Sequence, residues 1–411
     1  MALLPSALTW RSLPLCLALC GPLWAQRPVP DTLRWSELRA GIEAHPALEA
    51  ARAQVREARA ARREAAGIPN PGLEVRTLSV EASGDPSREE LALSLPVDWL
   101  WTRPGRLQSA RAGEAAALAA VSQLRRELTL AAGERYWSLA RDQALAEAAR
   151  ELEEHARTLH RAVQARVRAG ETRPAEEARA EVEALQAGLE TAAAERELAL
   201  DRERLAPWLP AGDGRSLTAV AEPWSLPVPP DSSRCAAALE EHPRLAAARQ
   251  QVEGRRGALA AERWGRLPRL ELQGILERAD DRLARGAGLS LDLPLFNQGG
   301  SRVAQARAAL EAAEAELAAE RRRLGEELAA ALSAGASSRE AALAYQERIL
   351  PRAAAAAEAL ERGWLAGEAS LFELIDARRT LAQTRRQGIQ VFSQAQLDAL
   401  ALETLLMKEN D

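Results

Sequence analysis

The chain has 411 residues, with 54 Lys and Arg against 59 Asp and Glu, for a formal charge of −5. The two signs are interleaved without a basic stripe, which excludes nucleic acid as a partner. Aromatic residues make up only 4% while Ala, Leu, Glu and Arg dominate, the usage of long helices and coiled coils rather than of two or three ordinary domains.

Arg11 followed by the apolar run Leu13 to Leu23 reads as a signal peptide over residues 1–25, cleaved after Ala25. The run is too short to span a bilayer as a helix. Cys16 and Cys20 leave with it; Leu19 before Cys20 disfavours lipid attachment there. Cys235 then stands alone, so an intrachain disulfide is excluded in the exported chain.

From residue 26 onwards the chain is written twice, at a spacing of roughly 197 residues. Glu43-Ala44-His45-Pro46 returns as Glu240-Glu241-His242-Pro243, Leu95-Pro96 as Leu293-Pro294, and Ala169-Gly170-Glu171 as Ala366-Gly367-Glu368. The two copies cover 26–206 and 234–411, with a Pro/Gly-rich connector over 207–233 expected to wrap the helices as a belt. Each copy reads helix, two strands, long helix, glycine turn, returning helix.

In the first copy, a helix from about 45 to 66 ends at Gly67, Pro69 and Pro71. Strands follow near 72–82 and 89–97 around the turn residues Ser83 to Ser87. A helix from about 103 to 168 would be on the order of 100 Å long at its usual rise. Ala110, Ala117, Leu124, Ala131, Ser138, Leu145, Leu152 and Leu159 keep a seven-residue register, a seam packed along other helices. The second copy repeats this with strands near 268–277 and 287–296 and a seam at Leu310, Leu317, Leu324 and Ala331. Pro351 should kink or break its long helix. Gly170 and Gly367 mark the two hairpin tips.

Strands of this length suit a tilted membrane strand, and a bilayer accepts strands only in a closed barrel. Four cannot close, because the smallest such barrels have eight. Three copies would supply twelve, so a homotrimer in outer-membrane lipid is expected. Trp99, Trp101, Trp264 and Phe296 stand at the helix-proximal strand ends, where an interfacial aromatic belt belongs.

This layout resembles the TolC-like outer-membrane efflux proteins, and within them the cobalt–zinc–cadmium resistance subgroup. The best local signal is Gly367-Glu368-Ala369-Ser370-Leu371-Phe372-Glu373-Leu374-Ile375-Asp376-Ala377, with Arg166-Val167-Arg168-Ala169-Gly170 as its first-copy counterpart. The resemblance implies an α+β membrane fold: a trimeric, twelve-stranded barrel in the outer membrane of a Gram-negative bacterium, continuing into an α-helical coiled-coil barrel across the periplasm. It implies an exit duct for a tripartite efflux system of the heavy-metal type, with a periplasmic membrane-fusion adaptor and an inner-membrane pump of the RND class as partners. A type I secretion channel, or a periplasmic coiled-coil adaptor or scaffold, are the alternatives. The resemblance places an entrance gate at Glu373 and Asp376, three apart on one helix face. Glu176 is the first-copy counterpart of Glu373, and Arg179 stands opposite Asp376 as its candidate partner. Arg166, Gly170, Glu171, Gly367 and Glu368 are the expected adaptor contacts.

Catalytic chemistry is not legible. His45 and His242 precede prolines at equivalent positions and read as helix-start residues. His155 and His160 are five apart and share no helix face, so no metal pair is expected. With no nucleophile motif, phosphate loop or dinucleotide fingerprint, the chain is expected to be neither an enzyme nor a cofactor protein.

Overall fold

The computed structural model describes residues 32–78, 88–209, 217–219, 226, 232–279 and 282–407. The expected signal peptide, the Ser83–Ser87 turn and much of the 207–233 connector lie outside the described residues. Two short elements, β1 (Thr32–Leu33) and α1 (Trp35–Gly41), lead into α2 (Pro46–Ala66), β2 (Gly72–Leu78), β3 (Arg88–Pro96), α3 (Trp99–Arg168) and α4 (Pro174–Leu205). After β4 (Thr218–Ala219) the second copy gives α5 (Ser232–Glu240), α6 (Pro243–Trp264), β5 (Arg269–Ala279), β6 (Arg282–Asp292), α7 (Gly300–Ala344), α8 (Leu350–Ala366) and α9 (Leu371–Leu406). Among the described residues, no helix is long and apolar enough to cross a membrane.

Each copy starts its rising helix the same way. His45 and His242 are N-caps whose Nδ1 atoms accept the backbone N–H of Ala47 and Arg244, both at 3.2 Å. Proline follows at the first helical position, where a missing N–H costs nothing. His242 is buried, and burial first, with Arg126 and Arg244 nearby, pushes its pKa down to about 3.

Helix α3 starts at Trp99, four residues before the sequence reading, and accommodates Pro104 within its second turn. Its 70 residues make it roughly 105 Å long. The heptad period holds, and a second, more deeply buried row runs beside the expected seam. One buried row, Gly105, Ala112, Ala119, Arg126 and Gly133, is seven apart, and Leu128, Tyr136, Leu139 and Ala146 are also buried, while the expected seam from Ala110 to Leu159 is half-buried beside them. Where α3 crosses α6 the approach is set by small residues. A β-carbon on Gly105 would sit 2.5 Å from both the Ala261 nitrogen and the Gly257 carbonyl oxygen, so α3 and α6 cross nearly backbone to backbone. In the second copy Leu324 is buried, whereas Leu310, Leu317 and Ala331 are half-buried. The kink expected at Pro351 is absorbed by a π-helical turn, Tyr345–Ile349, between α7 and α8.

A core at mid-height gathers Leu33, Leu38, Leu48, Tyr136, Leu139, Leu198, Leu205 and Leu217. Burial holds the Tyr136 hydroxyl at about 12. The described parts of the connector are tied to the helices, Leu217 and Ala219 at this core and Leu226 at a second one of Ala342, Phe392 and Ala395. Thr218–Ala219 pairs in parallel with Thr32–Leu33, Ala219 donates its N–H to Gln143 Oε1 at 2.8 Å, and Arg339 reaches the Leu226 carbonyl at 3.1 Å.

The four longer strands form one antiparallel sheet in the order β2-β3-β5-β6. Strand β6 runs five residues earlier than the expected 287–296 and stops at Asp292, leaving Leu293, Leu295 and Phe296 beyond it. Pro294 lacks the N–H that would extend the ladder.

Candidate functional site

Two regions lack the covering that a self-contained chain would give them. The first is the sheet. Its register places Leu73, Val75, Leu91, Leu93, Leu272 and Leu289 on one face, and Glu74, Arg76, Glu90, Ser94, Gln273 and Glu277 on the other. The apolar face is bare: Val75 is 66% exposed, Leu93 52% and Leu289 63%. The two edges, β2 and β6, each pair on one side only. Exposed edges and an exposed leucine face together are an aggregation hazard in water. At the helix-proximal end, Trp99 and Trp101 open α3, and the Arg103 guanidinium lies 5.6 Å from the Trp99 ring. Trp264 closes α6 half-exposed, and Phe296 is fully exposed. The four aromatics thus stand at the same end of the sheet.

The second region is the pair of hairpin tips. Gly170 and Gly367 adopt φ of 76° and 80°, the left-handed conformation glycine takes at no steric cost. The Gly170 N–H donates to the Val167 carbonyl at 3.0 Å and the Gly367 N–H to the Trp364 carbonyl at 3.1 Å. Glu171 and Glu368 follow on the exposed side of each turn. Arg166 bridges the two tips: its guanidinium lies 5.2 Å from the Trp364 ring and 3.6 Å from Glu171. Beneath them Val163, Ala180, Trp364, Leu371, Leu374 and Ile375 make a small core joining the hairpins.

Glu373 has a local role that sequence reading missed. Its carboxylate accepts the Ser370 N–H and hydroxyl, both at 2.8 Å, while its own N–H donates to Ser370 Oγ at 3.3 Å. This is a capping box at the start of α9. The Ser370 backbone N–H, then its hydroxyl, holds the Glu373 carboxyl below its ordinary value. The signal was present as Ser-x-x-Glu. Glu176 accepts the Thr172 hydroxyl at 2.8 Å instead. Arg179 does not pair with Asp376 within the chain; its guanidinium lies 4.3 Å from the Phe372 ring. A side chain that reaches an aromatic face gains contact and keeps its hydration partly intact, which an exposed ion pair does not improve upon. Asp376 remains exposed one turn after Glu373.

Behind the tip, a ladder unread in the sequence ties α9 to its neighbours. Arg379 binds Glu183, with one contact at 2.9 Å, and Arg386 binds Glu190 at 2.5 Å, both pairs joining α9 to α4. Arg385 reaches Glu151 on α3 at 2.7 Å. The seven-residue spacing on each helix was the available signal.

Residues 235–406 match the family model described as outer membrane efflux protein. Over 341 residues the chain is 26% identical to the cobalt-zinc-cadmium resistance protein CzcC of Cupriavidus metallidurans, covering 82% of this chain and 81% of that protein. Among solved structures, the chain is similar to the outer-membrane channel OprN, with a TM-score of 0.77 at 20% identity over 90% of this chain and 89% of that one. It is also similar to the outer membrane protein VceC of Vibrio cholerae, with a TM-score of 0.75 at 18% identity over 90% and 95% of the two chains. At that identity the likeness is one of fold. The fold is shared with these solved outer-membrane proteins.

Proposed function

We propose that three copies of this chain form an exit duct in the outer membrane of a Gram-negative bacterium, serving a tripartite efflux system. The observation that carries this is the sheet: four strands, two open edges, and a leucine face with nothing over it. In a bilayer each unpaired backbone group is costly, so the edges of one copy must find those of the next. Twelve strands close, with the leucine face towards lipid and the polar face towards the lumen. Trp99, Trp101, Trp264 and Phe296 then lie at the periplasmic interface.

In this reading the duct is a passive conduit. The tips carrying Arg166, Gly170, Glu171, Gly367 and Glu368 meet a periplasmic adaptor, and an inner-membrane pump of the RND type supplies the energy. Glu373 and Asp376, with Glu176 and Arg179 behind them, surround the entrance. Likeness to a cobalt-zinc-cadmium resistance protein favours divalent heavy metals as cargo. The test is fractionation followed by complementation. The chain should enter the outer membrane as a heat-modifiable trimer and restore zinc, cobalt or cadmium tolerance to a strain lacking its own duct when its adaptor and pump are present. A detergent-independent, water-soluble monomer would overturn the reading.

A further inference from the structure

The leucine face of the sheet is interrupted at one end, and the interruption is basic. In the β5–β6 register Leu276 stands opposite Arg285, and Arg278 opposite Leu283. Alternation places Arg278 and Arg285 on the same face as Leu272 and Leu289, as diagonal neighbours within reach of one another. Both are exposed, and both lie near the turn joining β5 to β6, at the end of the sheet away from the helices. Arg285 shares its row with Val75, Leu91 and Leu276, so it stands inside the apolar band rather than past it. Among the described residues neither arginine makes an ion pair. The only acid directly opposite either of them on that face among the described residues is Glu89, across from Arg278, and Asp280 and Asp281 join the two strands in sequence.

An arginine facing hydrocarbon extends its guanidinium towards the headgroups and takes an anion there. The planar fork of two neighbouring guanidiniums fits a phosphate oxygen pair better than any neutral headgroup. Resting on the proposed membrane placement of the sheet, we infer that Arg278 and Arg285 bind the phosphate of an anionic lipid headgroup in the leaflet farthest from the helices. Three copies would carry three such sites around the barrel. Lipid phosphate is the occupant because the patch continues the lipid-facing surface; a free phosphate would have no contact with the leucines below.

The test uses the full-length trimer in phosphatidylcholine vesicles containing either bisphosphorylated lipid A or its dephosphorylated form. After mild extraction, retained lipid is counted by native mass spectrometry. Wild type should retain the phosphorylated lipid and not the dephosphorylated one, and R278Q/R285Q should lower retention roughly tenfold or more, the loss expected for charge-assisted bonds to an anion. Equal retention of both lipids by wild type, or unchanged retention by the double variant, overturns the site. Retention of inorganic phosphate in lipid-free detergent also overturns it, in favour of a free-anion site. Should R278Q/R285Q fail to assemble, the wild-type comparison of the two lipids decides alone. A chain that enters neither vesicle overturns the membrane reading itself, which is a different result from insertion without preference.

Discussion

Gly105 and Gly257 meet where α3 crosses α6, each occupying the space that a β-carbon on the other would need. A methyl on Gly257 would lie 2.6 Å from the Ser109 nitrogen and 2.7 Å from the Gly105 carbonyl oxygen. The obstacle is backbone, which cannot swing aside as a side chain can. G105A or G257A should therefore each cost about 1–3 kcal/mol as the helices are forced apart. G113A is the control: nothing lies within 4 Å of its added methyl, and better helix propensity should make it neutral or stabilising by up to about 1 kcal/mol. Thermal denaturation of the three purified variants checks the order. Equal melting temperatures for G105A and G113A would remove the crossing from the account.

His242 gives the fold an acid-sensitive joint. Its folded pKa, about 3, lies below the unfolded value near 6.5, so the unfolded chain binds a proton that the native chain refuses. The stabilisation from keeping the ring neutral is complete above pH 6.5 and is lost as the pH falls towards 3. The separation sets a ceiling of roughly 5 kcal/mol, at about 1.4 kcal/mol per unit. H242N retains an N-cap acceptor for the Arg244 N–H but cannot titrate. The difference in stability between wild type and H242N should shrink or reverse steadily on acidification from 6.5 to 3. A difference independent of pH would show that the imidazole is not held neutral.

The clasp from α9 to α4 makes a prediction about motion rather than stability. Arg379 and Arg386 are about half-exposed, and exposed ion pairs contribute about 1 kcal/mol or less to stability. Their arrangement is directional, however: both hold α9, the returning helix of the second hairpin, against α4, the returning helix of the first. R379A/R386A should leave the melting temperature nearly unchanged while raising single-channel conductance in planar bilayers. A conductance equal to that of wild type would assign these pairs a purely solvating role.

Much of this was legible in the chain, and the misses have physical causes. Duplication, the histidine-proline helix starts and the two glycine turns follow from local chemistry, because a cap or a left-handed turn needs particular residues nearby. The expected seam from Ala110 to Leu159 is half-buried, with Leu124 and Leu159 packed against the cores, but the most crowded crossing lies beside it. Here the tightest approaches are made at Gly105, Gly133 and Gly257, and smallness is silent in a hydrophobic pattern. The start of β6 at Arg282 was missed for a related reason. Its first residues, Arg282 to Gly286, mix charge with glycine and fall outside the expected 287–296, yet pairing with β5 imposes the strand. Glu373 was assigned by family likeness to an entrance, and its bond to Ser370 was overlooked although Ser-x-x-Glu was in view.

That bond allows two roles of Glu373 to be separated. If its carboxylate matters as charge at the entrance, E373Q should raise conductance and weaken cation preference, because glutamine keeps the reach and the acceptor of the capping box but carries no charge. If it matters only as a cap, E373Q should behave as wild type, and S370A should reproduce the effect of E373A by releasing the first turn of α9. The entrance reading thus expects E373Q to resemble E373A in conductance, with D376N adding to it since Asp376 shares the same helix face. The capping reading expects E373Q to resemble wild type and S370A to resemble E373A. Single-channel recording of the four variants in potassium chloride distinguishes these orders, and a conductance insensitive to both E373Q and D376N would take the carboxylates out of the gate.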